Sequence, residues 1–361
     1  MLKAIRMPKW GLAMEEGTIV EWLRSVGDEV AEGDDLIDIE TTKITNTLQA
    51  TNAGRLVRIV AGDGEVMPVG ALIGVLASEI ADEAEVDAFI AASPVAVVEE
   101  EAEEEAAMAV QSLDIGKRIN VATAGSGKPL VLLHGFSGDL NNWLFTIEGL
   151  KDAARVIAID LPGHGASEKD VGDGSLAGLA ADVAAALEEL GVSDAVVAGH
   201  SLGGAVAMRL ALDHPALVSK LALVCPAGLP GGFVSDDFLS GIVNAEKARD
   251  VKKALQLLVR DPDTVSRDMV DGVVKMLRLD GAQAALAVLR ERMLAGGDFA
   301  ALSLDALPPV TLIASRNDAI VGAPDVSALP PGWTVHWLDQ AGHLPQLEAA
   351  GEVNALLRAL L

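Results

Sequence analysis

Four residues of this 361-residue chain have the type and setting to carry acyl chemistry: Lys43, Ser201, Asp318 and His343. Ser201 lies in "VVAGHSLGGAVAMRLAL", where Gly199-His200-Ser201-Leu202-Gly203 follows an apolar run and opens a helical one. Glycines on both sides permit a strained strand-to-helix turn that lifts the hydroxyl above a sheet at a helix N-terminus, a nucleophile elbow. A serine hydroxyl is a weak nucleophile near neutral pH. It needs a base to take its proton and an acid to orient that base. Asp318 in "ASRNDAIV" and His343 in "DQAGHLPQLE" follow Ser201 in the order such a site requires, each just beyond an apolar run.

Other residues compete for these roles. His200 adjoins the serine and suits support of the elbow better than proton transfer. His164 in "DLPGHGAS" belongs to a turn, and Asp325 and Asp339 are rival acids close to Asp318 and His343. Cys225, at the end of an apolar run, reads most simply as a small core residue. An acyl-transfer oxyanion needs preorganised donors, and the N–H of Leu202, directly after the serine, is one. "LLHGFSG" is the candidate source of a second.

The elements that must hold these residues recur from Val110 onward as apolar strand, glycine-rich turn and amphipathic helix. Strands are expected in 129–136, 155–165, 194–201, 220–228, 309–315 and 333–339, with helices over 176–190 and 202–212 between them. That alternation predicts a mainly parallel sheet covered on both faces. Residues 229–306 interrupt the strand rhythm with helical sequence, which suits a cap that contributes substrate contacts and excludes water. Within it Lys247, Arg249, Lys252 and Lys253 could meet the phosphates of a nucleotide-bearing thiol, although a solvated helix face is the plainer reading.

The first 78 residues follow a different plan. Aligning Gly17 with Gly54 superposes Gly27, Val30, Gly33 and Leu36 on Gly64, Met67, Gly70 and Ile73. Such a repeat of short strands and glycine turns predicts a two-fold β-sandwich. Its midpoint falls near "TTKI", so Lys43 is expected at a tight hairpin turn between "DLIDIE" and "ITNTLQA". Residues 79–110 carry eleven acidic and no basic side chains. The stretch "SPVAVVEEEAEEEAAMAV" has no amphipathic period and reads as an extended linker, with "ADEAEVDAFIAA" before it as a short helical extension.

Net charge is −26, which argues against a nucleic-acid or anionic-membrane surface. One cysteine permits no internal disulfide, and neither a signal peptide nor an 18-residue apolar run is present, so a reducing, cytoplasmic setting is expected. No metal site is read from the sequence.

Residues 1–78, with "MPKWGLAMEEGTIVEWLRSVGDEVAEGDDLIDIETTKI", resemble the lipoyl domains of 2-oxo-acid and acetoin dehydrogenase complexes. The resemblance implies lipoate in amide linkage on Lys43. Related biotinyl domains flank their lysine with methionines, whereas Thr42 and Ile44 stand here. Residues 111–361 resemble the α/β-hydrolase fold, which implies the Ser201, Asp318, His343 triad and sets Phe136 N–H beside Leu202 N–H as the oxyanion donors. The whole arrangement is similar to the acetyltransferase components of acetoin dehydrogenase complexes. That implies acetyl transfer from S-acetyl-dihydrolipoyl-Lys43 to coenzyme A, with a thiamine-diphosphate-dependent component and a dihydrolipoyl dehydrogenase as partners. Tethering would replace diffusion with an effective concentration reaching the millimolar range. The alternative is a lipoyl-tagged esterase or thioesterase with water as acceptor.

Two departures from the broader acyltransferase pattern stand out. There is no His-x-x-x-Asp-Gly motif, since His134 is followed by Asp139 at a different spacing. Residues 79–110 also hold no evident basic subunit-binding domain. The sequence leaves oligomeric state open, and a homo-oligomer is compatible with it.

Overall fold

The computed structural model describes residues 2–8, 14, 16–40, 45–78, 82–93 and 108–361. The chain divides into two compact units, 1–104 and 105–361.

The first unit contains β1 (Leu2–Arg6), β2 (Glu16–Trp22), β3 (Glu29–Val30), β4 (Asp35–Glu40), β5 (Thr45–Gln49), β6 (Gly54–Ile59), β7 (Val66–Pro68) and β8 (Leu72–Ala77). They form two four-stranded sheets ordered β1-β8-β6-β3 and β5-β4-β2-β7. Replacing β5, β4, β2 and β7 by β1, β8, β6 and β3 turns one order into the other. The sequence repeat is therefore a structural two-fold. Its four glycines agree: Gly27, Gly33, Gly64 and Gly70 have φ of 104°, 88°, 82° and 80°, a region side chains with a Cβ rarely enter. Ile19, Leu36, Ile37, Ile39, Leu56, Ile73 and Val75 form the buried interior. β4 and β5 pair antiparallel with Glu40 opposite Thr45. Lys43 lies between them, outside the described residues.

A helix, Glu83–Ala91, starts at a capping box in which Asp82 accepts from Glu85 N–H and the Glu85 side chain accepts from Asp82 N–H. Val86 is buried and Asp87 pairs with Arg58 at 3.0 Å, so this helix belongs to the first unit.

The second unit is an eight-stranded sheet. Its strands are β9 (Ala109–Asp114), β10 (Arg118–Ala124), β11 (Pro129–Leu133), β12 (Arg155–Ile159), β13 (Ala195–His200), β14 (Val218–Val224), β15 (Val310–Ala314) and β16 (Thr334–Trp337). The order is β16-β15-β14-β13-β11-β12-β10-β9, parallel from β16 to β12 and antiparallel at β10 and β9.

Alternation within the strands explains the two covered faces. Val131, Leu133, Ile157, Ile159 and Val197 join a core with the helices Leu176–Glu189 and Leu202–Asp213. Their neighbours Leu130, Leu132, Val156, Ala158, Val196 and Ala198 pack on the other face, with Ile147, Leu150, Val353 and Leu357 from the helices Leu144–Leu150 and Ala350–Arg358. Between β14 and β15 stand the helices Asp236–Val243, Ala248–Leu255, Arg267–Leu277, Ala282–Ala295 and Gly297–Ala300, which make the cap.

Candidate active site

From β11 the sheet continues to β12 on one side and β13 on the other, so loops leaving the C-terminal ends of β11 and β13 diverge and open a crevice. Ser201 follows β13 at this point with φ 53° and ψ −118°. A left-handed φ costs a non-glycine residue on the order of 1–3 kcal/mol. Here it is imposed by close packing: a Cβ at Gly199 would overlap the Gly203 carbonyl, and one at Gly203 would overlap the carbonyls of Leu133 and His134. Backbone bonds from Ser201 N–H to Val224 O (3.1 Å) and from Ala227 N–H to Ser201 O (3.0 Å) anchor the turn to β14.

The loop after β11 lies against this elbow. A Cβ on Gly135 would stand 2.9 Å from Ser201 Cβ and 2.8 Å from His200 Nδ1. The next residue, Phe136, sets its ring edge-on to His164 and to the cap residue Phe238, each at 6.2 Å. Among the described residues neither Phe136 N–H nor Leu202 N–H donates to another backbone group. Both amides remain available to an oxyanion.

Asp318 follows β15 and His343 follows β16. His343 Nδ1–H donates to Asp318 Oδ2 at 2.7 Å, with both side chains only 1% exposed. Asp318 Oδ1 accepts from Ile320 N–H (2.8 Å) and Val321 N–H (3.0 Å). Burial alone would push this carboxyl up, but His343 and the two amides outweigh it and hold it below its ordinary 3.8. An ionised Asp318 fixes the His343 tautomer, leaving Nε2 as the basic nitrogen.

The rival residues are otherwise engaged. Asp339 pairs with Arg316 at 2.6 Å, and Asp325 accepts from Ser327 N–H and Oγ–H. His200 donates from Nε2 to His343 O at 2.7 Å and supports that loop. Burial, followed by the His343 charge, lowers its pKa to about 3, so it stays neutral. His164 is likewise lowered to about 3 by burial and then by His134. His134 accepts from Leu161 N–H at Nε2 (3.0 Å), a role within the turn.

Two features escaped the sequence reading. Cys225 is buried, as expected of a core residue, yet its Sγ, an Asp318 oxygen and a His343 ring nitrogen lie within 4.8 Å of one another. Burial and then the Asp318 charge push this thiol well up. The second feature is a clamp between the cap and the His343 loop: Glu348 accepts from Arg260 N–H (2.7 Å) and Gly342 N–H (2.8 Å). No local pattern announces either, because both depend on residues distant in sequence.

A cavity of about 480 Å³ lined by Leu229, Phe233, Met293, Phe299 and Leu302 lies within the cap segment. No helix among the described residues is long and apolar enough to cross a membrane.

Comparison with known proteins agrees with both units. Residues 3–76 match the family model for biotin-requiring enzymes, and residues 128–350 match the alpha/beta hydrolase fold. The chain is 42% identical to the dihydrolipoyllysine-residue acetyltransferase component of the acetoin cleaving system of Cupriavidus necator, over 98% of this chain and 96% of that protein. It is 39% identical to the component of the same name from Pseudomonas putida, over 100% and 98%. A serine hydrolase from Cycloclasticus zankles aligns with a TM-score of 0.63 at 18% identity, over 70% of this chain and 98% of that one.

Proposed function

This chain belongs to the family of dihydrolipoyllysine-residue acetyltransferase components of acetoin cleaving systems, and we propose that Ser201, His343 and Asp318 perform its acyl transfer. The protein is a lipoyl-bearing acetyltransferase with coenzyme A as acceptor, and a component of a multienzyme system. The observation that carries the assignment of residues is the buried His343–Asp318 pair, whose imidazole lies 4.7 Å from the ring of His200, the residue preceding a serine held at φ 53°.

In the proposed sequence Ser201 Oγ attacks the carbonyl of the acetyl thioester while its proton passes to His343 Nε2. Leu202 N–H and Phe136 N–H receive the oxyanion. The C–S bond breaks, and the departing sulfur takes the proton from His343. Coenzyme A thiol then gives its proton to His343 and attacks the acetyl-serine. Collapse expels Ser201 Oγ, which recovers that proton. Asp318 remains ionised throughout and stabilises the imidazolium.

Lipoate, when bound, supplies a long arm ending in a dithiol that carries acetyl as a thioester. An amide-linked arm asks of the protein only an accessible amine. β4 and β5 pair antiparallel with Glu40 opposite Thr45, and Lys43 falls between them in the sequence. We assign Lys43 as the attachment residue, and the acetoin-cleaving thiamine-diphosphate component and a dihydrolipoyl dehydrogenase as partners in a cytoplasmic complex. The boundaries assigned are a lipoyl domain over 1–78, a linker within 79–110 whose helix Glu83–Ala91 packs on the first unit, and a catalytic domain over 111–361 to which Ala109 and Val110 add the start of β9.

Lys43→Arg tests the arm. Acetyl-CoA formation should vanish with the protein-borne donor and persist with free acetyl-dihydrolipoamide, while fluorophosphonate labelling of Ser201 is unchanged. Full activity of the variant with the complex would refute the assignment. Release of acetate in place of acetyl-CoA by the native protein would favour water as acceptor.

A further inference from the structure

In a chain of net charge −26, cations are mostly committed to nearby acids or carbonyls. Arg55 holds Glu29, Lys117 holds Asp182, Arg290 holds Asp236, and Lys169 donates to three backbone carbonyls. Among the described residues five Lys and Arg side chains have neither an ion pair nor a hydrogen bond: Lys247, Lys252, Lys253, Lys275 and Arg278. All five belong to the cap. Arg249, which the sequence grouped with them, lies 3.6 Å from the Asp250 carboxylate.

Lys247, Lys275 and Arg278 line one cavity of about 620 Å³ in the cap, over the apolar side chains of Val251, Val274 and Leu277. The acids there are Asp271, lying 3.6 Å from Arg267, and Glu246. Unspent cations over an apolar floor suit a ligand that joins phosphates to a flat, weakly polar ring. The protein as a whole repels a polyanion, so binding one requires such a local reversal of sign.

The groove is also suitably placed along the chain. Lys247 immediately precedes the helix Ala248–Leu255, and just beyond the other end of that helix Leu258 O accepts His343 N–H at 2.7 Å. Eight helical residues span about 12 Å. Coenzyme A carries its thiol at the far end of a long pantetheine arm, well removed from its phosphates. An acceptor of that shape calls for a phosphate site about one helix length from the reacting atoms.

We propose that this cap groove is a nucleotide-phosphate subsite, in which Lys247, Lys275 and Arg278 hold the phosphates of coenzyme A. The proposal rests on the acyl-transfer reading above. Its test uses the full-length lipoylated protein and the combined Lys247→Ala, Lys275→Ala, Arg278→Ala variant. Adenosine 3′,5′-bisphosphate binding should weaken about tenfold or more, as loss of charge-assisted bonds implies. KM for coenzyme A should rise in parallel, with KM for pantetheine and fluorophosphonate labelling of Ser201 unchanged. Lys252→Ala with Lys253→Ala should leave all four at native values. Native nucleotide binding and coenzyme A KM in the triple variant, with acetyl-CoA still formed, would overturn the groove alone. A native protein that transfers acetyl to neither thiol and releases acetate would overturn the acyl-transfer reading and the groove with it.

Discussion

Leu258 O accepts the backbone N–H of His343 at 2.7 Å, so the cap is hydrogen-bonded to the loop that carries the proposed base. Glu348 reinforces the junction by binding Arg260 N–H and Gly342 N–H, the amides flanking this contact. The cap therefore helps to fix the backbone of the loop that carries His343.

That junction is open to mutation. Glu348→Ala leaves two amides without their acceptor and lets the His343 loop drift, and a shift of about 1 Å can cost up to 10²-fold in rate. We expect kcat to fall by about one to two orders of magnitude with a smaller change in KM, measured by steady-state acetyl-CoA formation. An unchanged kcat would mean the loop holds its position without the clamp.

The loop after β11 offers a second test. Gly135→Ala puts a methyl 2.9 Å from Ser201 Cβ and 2.8 Å from His200 Nδ1. The loop must retreat and take Phe136 N–H with it. Loss of one oxyanion donor is worth about 10²–10³ in kcat. The same substitution at Gly138, whose closest clash is with the Asn142 side chain and whose nearest backbone atom, Gly135 O, stands at 3.2 Å, should cost far less.

Much of this site was legible in the sequence because its parts are local. The elbow needs small residues within two positions of Ser201, and the strand-loop signals before Asp318 and His343 are each contained in one short segment. The two-fold of the first unit was visible in the spacing of Gly27, Gly33, Gly64 and Gly70. β9 and β10 were missed: β9 is an edge strand with exposed Val110, Gln111 and Ser112, so it lacks the apolar signature of the strands beside it. The Glu348 clamp and the groove cations were illegible for a different reason. Their meaning depends on which distant residues they face, and on which cations are left unpaired once folding has matched the rest.

Cys225 provides a probe of the site's dryness. The residue is 2% exposed, and burial followed by the Asp318 charge raises the pKa of its thiol well above the ordinary value. Iodoacetamide at about pH 8 should leave it unmodified in the native protein and alkylate it in denaturant. As the chain's single cysteine it gives a one-site mass readout, and labelling at free-thiol rates in the native state would contradict its placement.

Acid should weaken the second unit. His164 and His200 have pKa values lowered from 6.5 to about 3, so the folded state keeps them neutral while the unfolded chain takes up protons. Their contribution is fully present above about pH 6.5 and is lost as pH falls toward 3, on the order of a few kcal/mol each. Asp318, held below 3.8, adds a loss at the acid end. Denaturant midpoints should decline from pH 7.5 to about 4.5, less steeply in His200→Asn. A flat profile would show that these rings are solvated.

The central claim is that Ser201 passes the acetyl group. Intact-mass analysis of the acetyl-lipoylated full chain, with and without coenzyme A, follows the donor and both products together. We predict that the native protein loses acetyl to form acetyl-CoA and that Ser201→Ala, folded and lipoylated, does so about 10³-fold or more slowly. Acetyl-CoA formation at the native rate by Ser201→Ala would contradict the account.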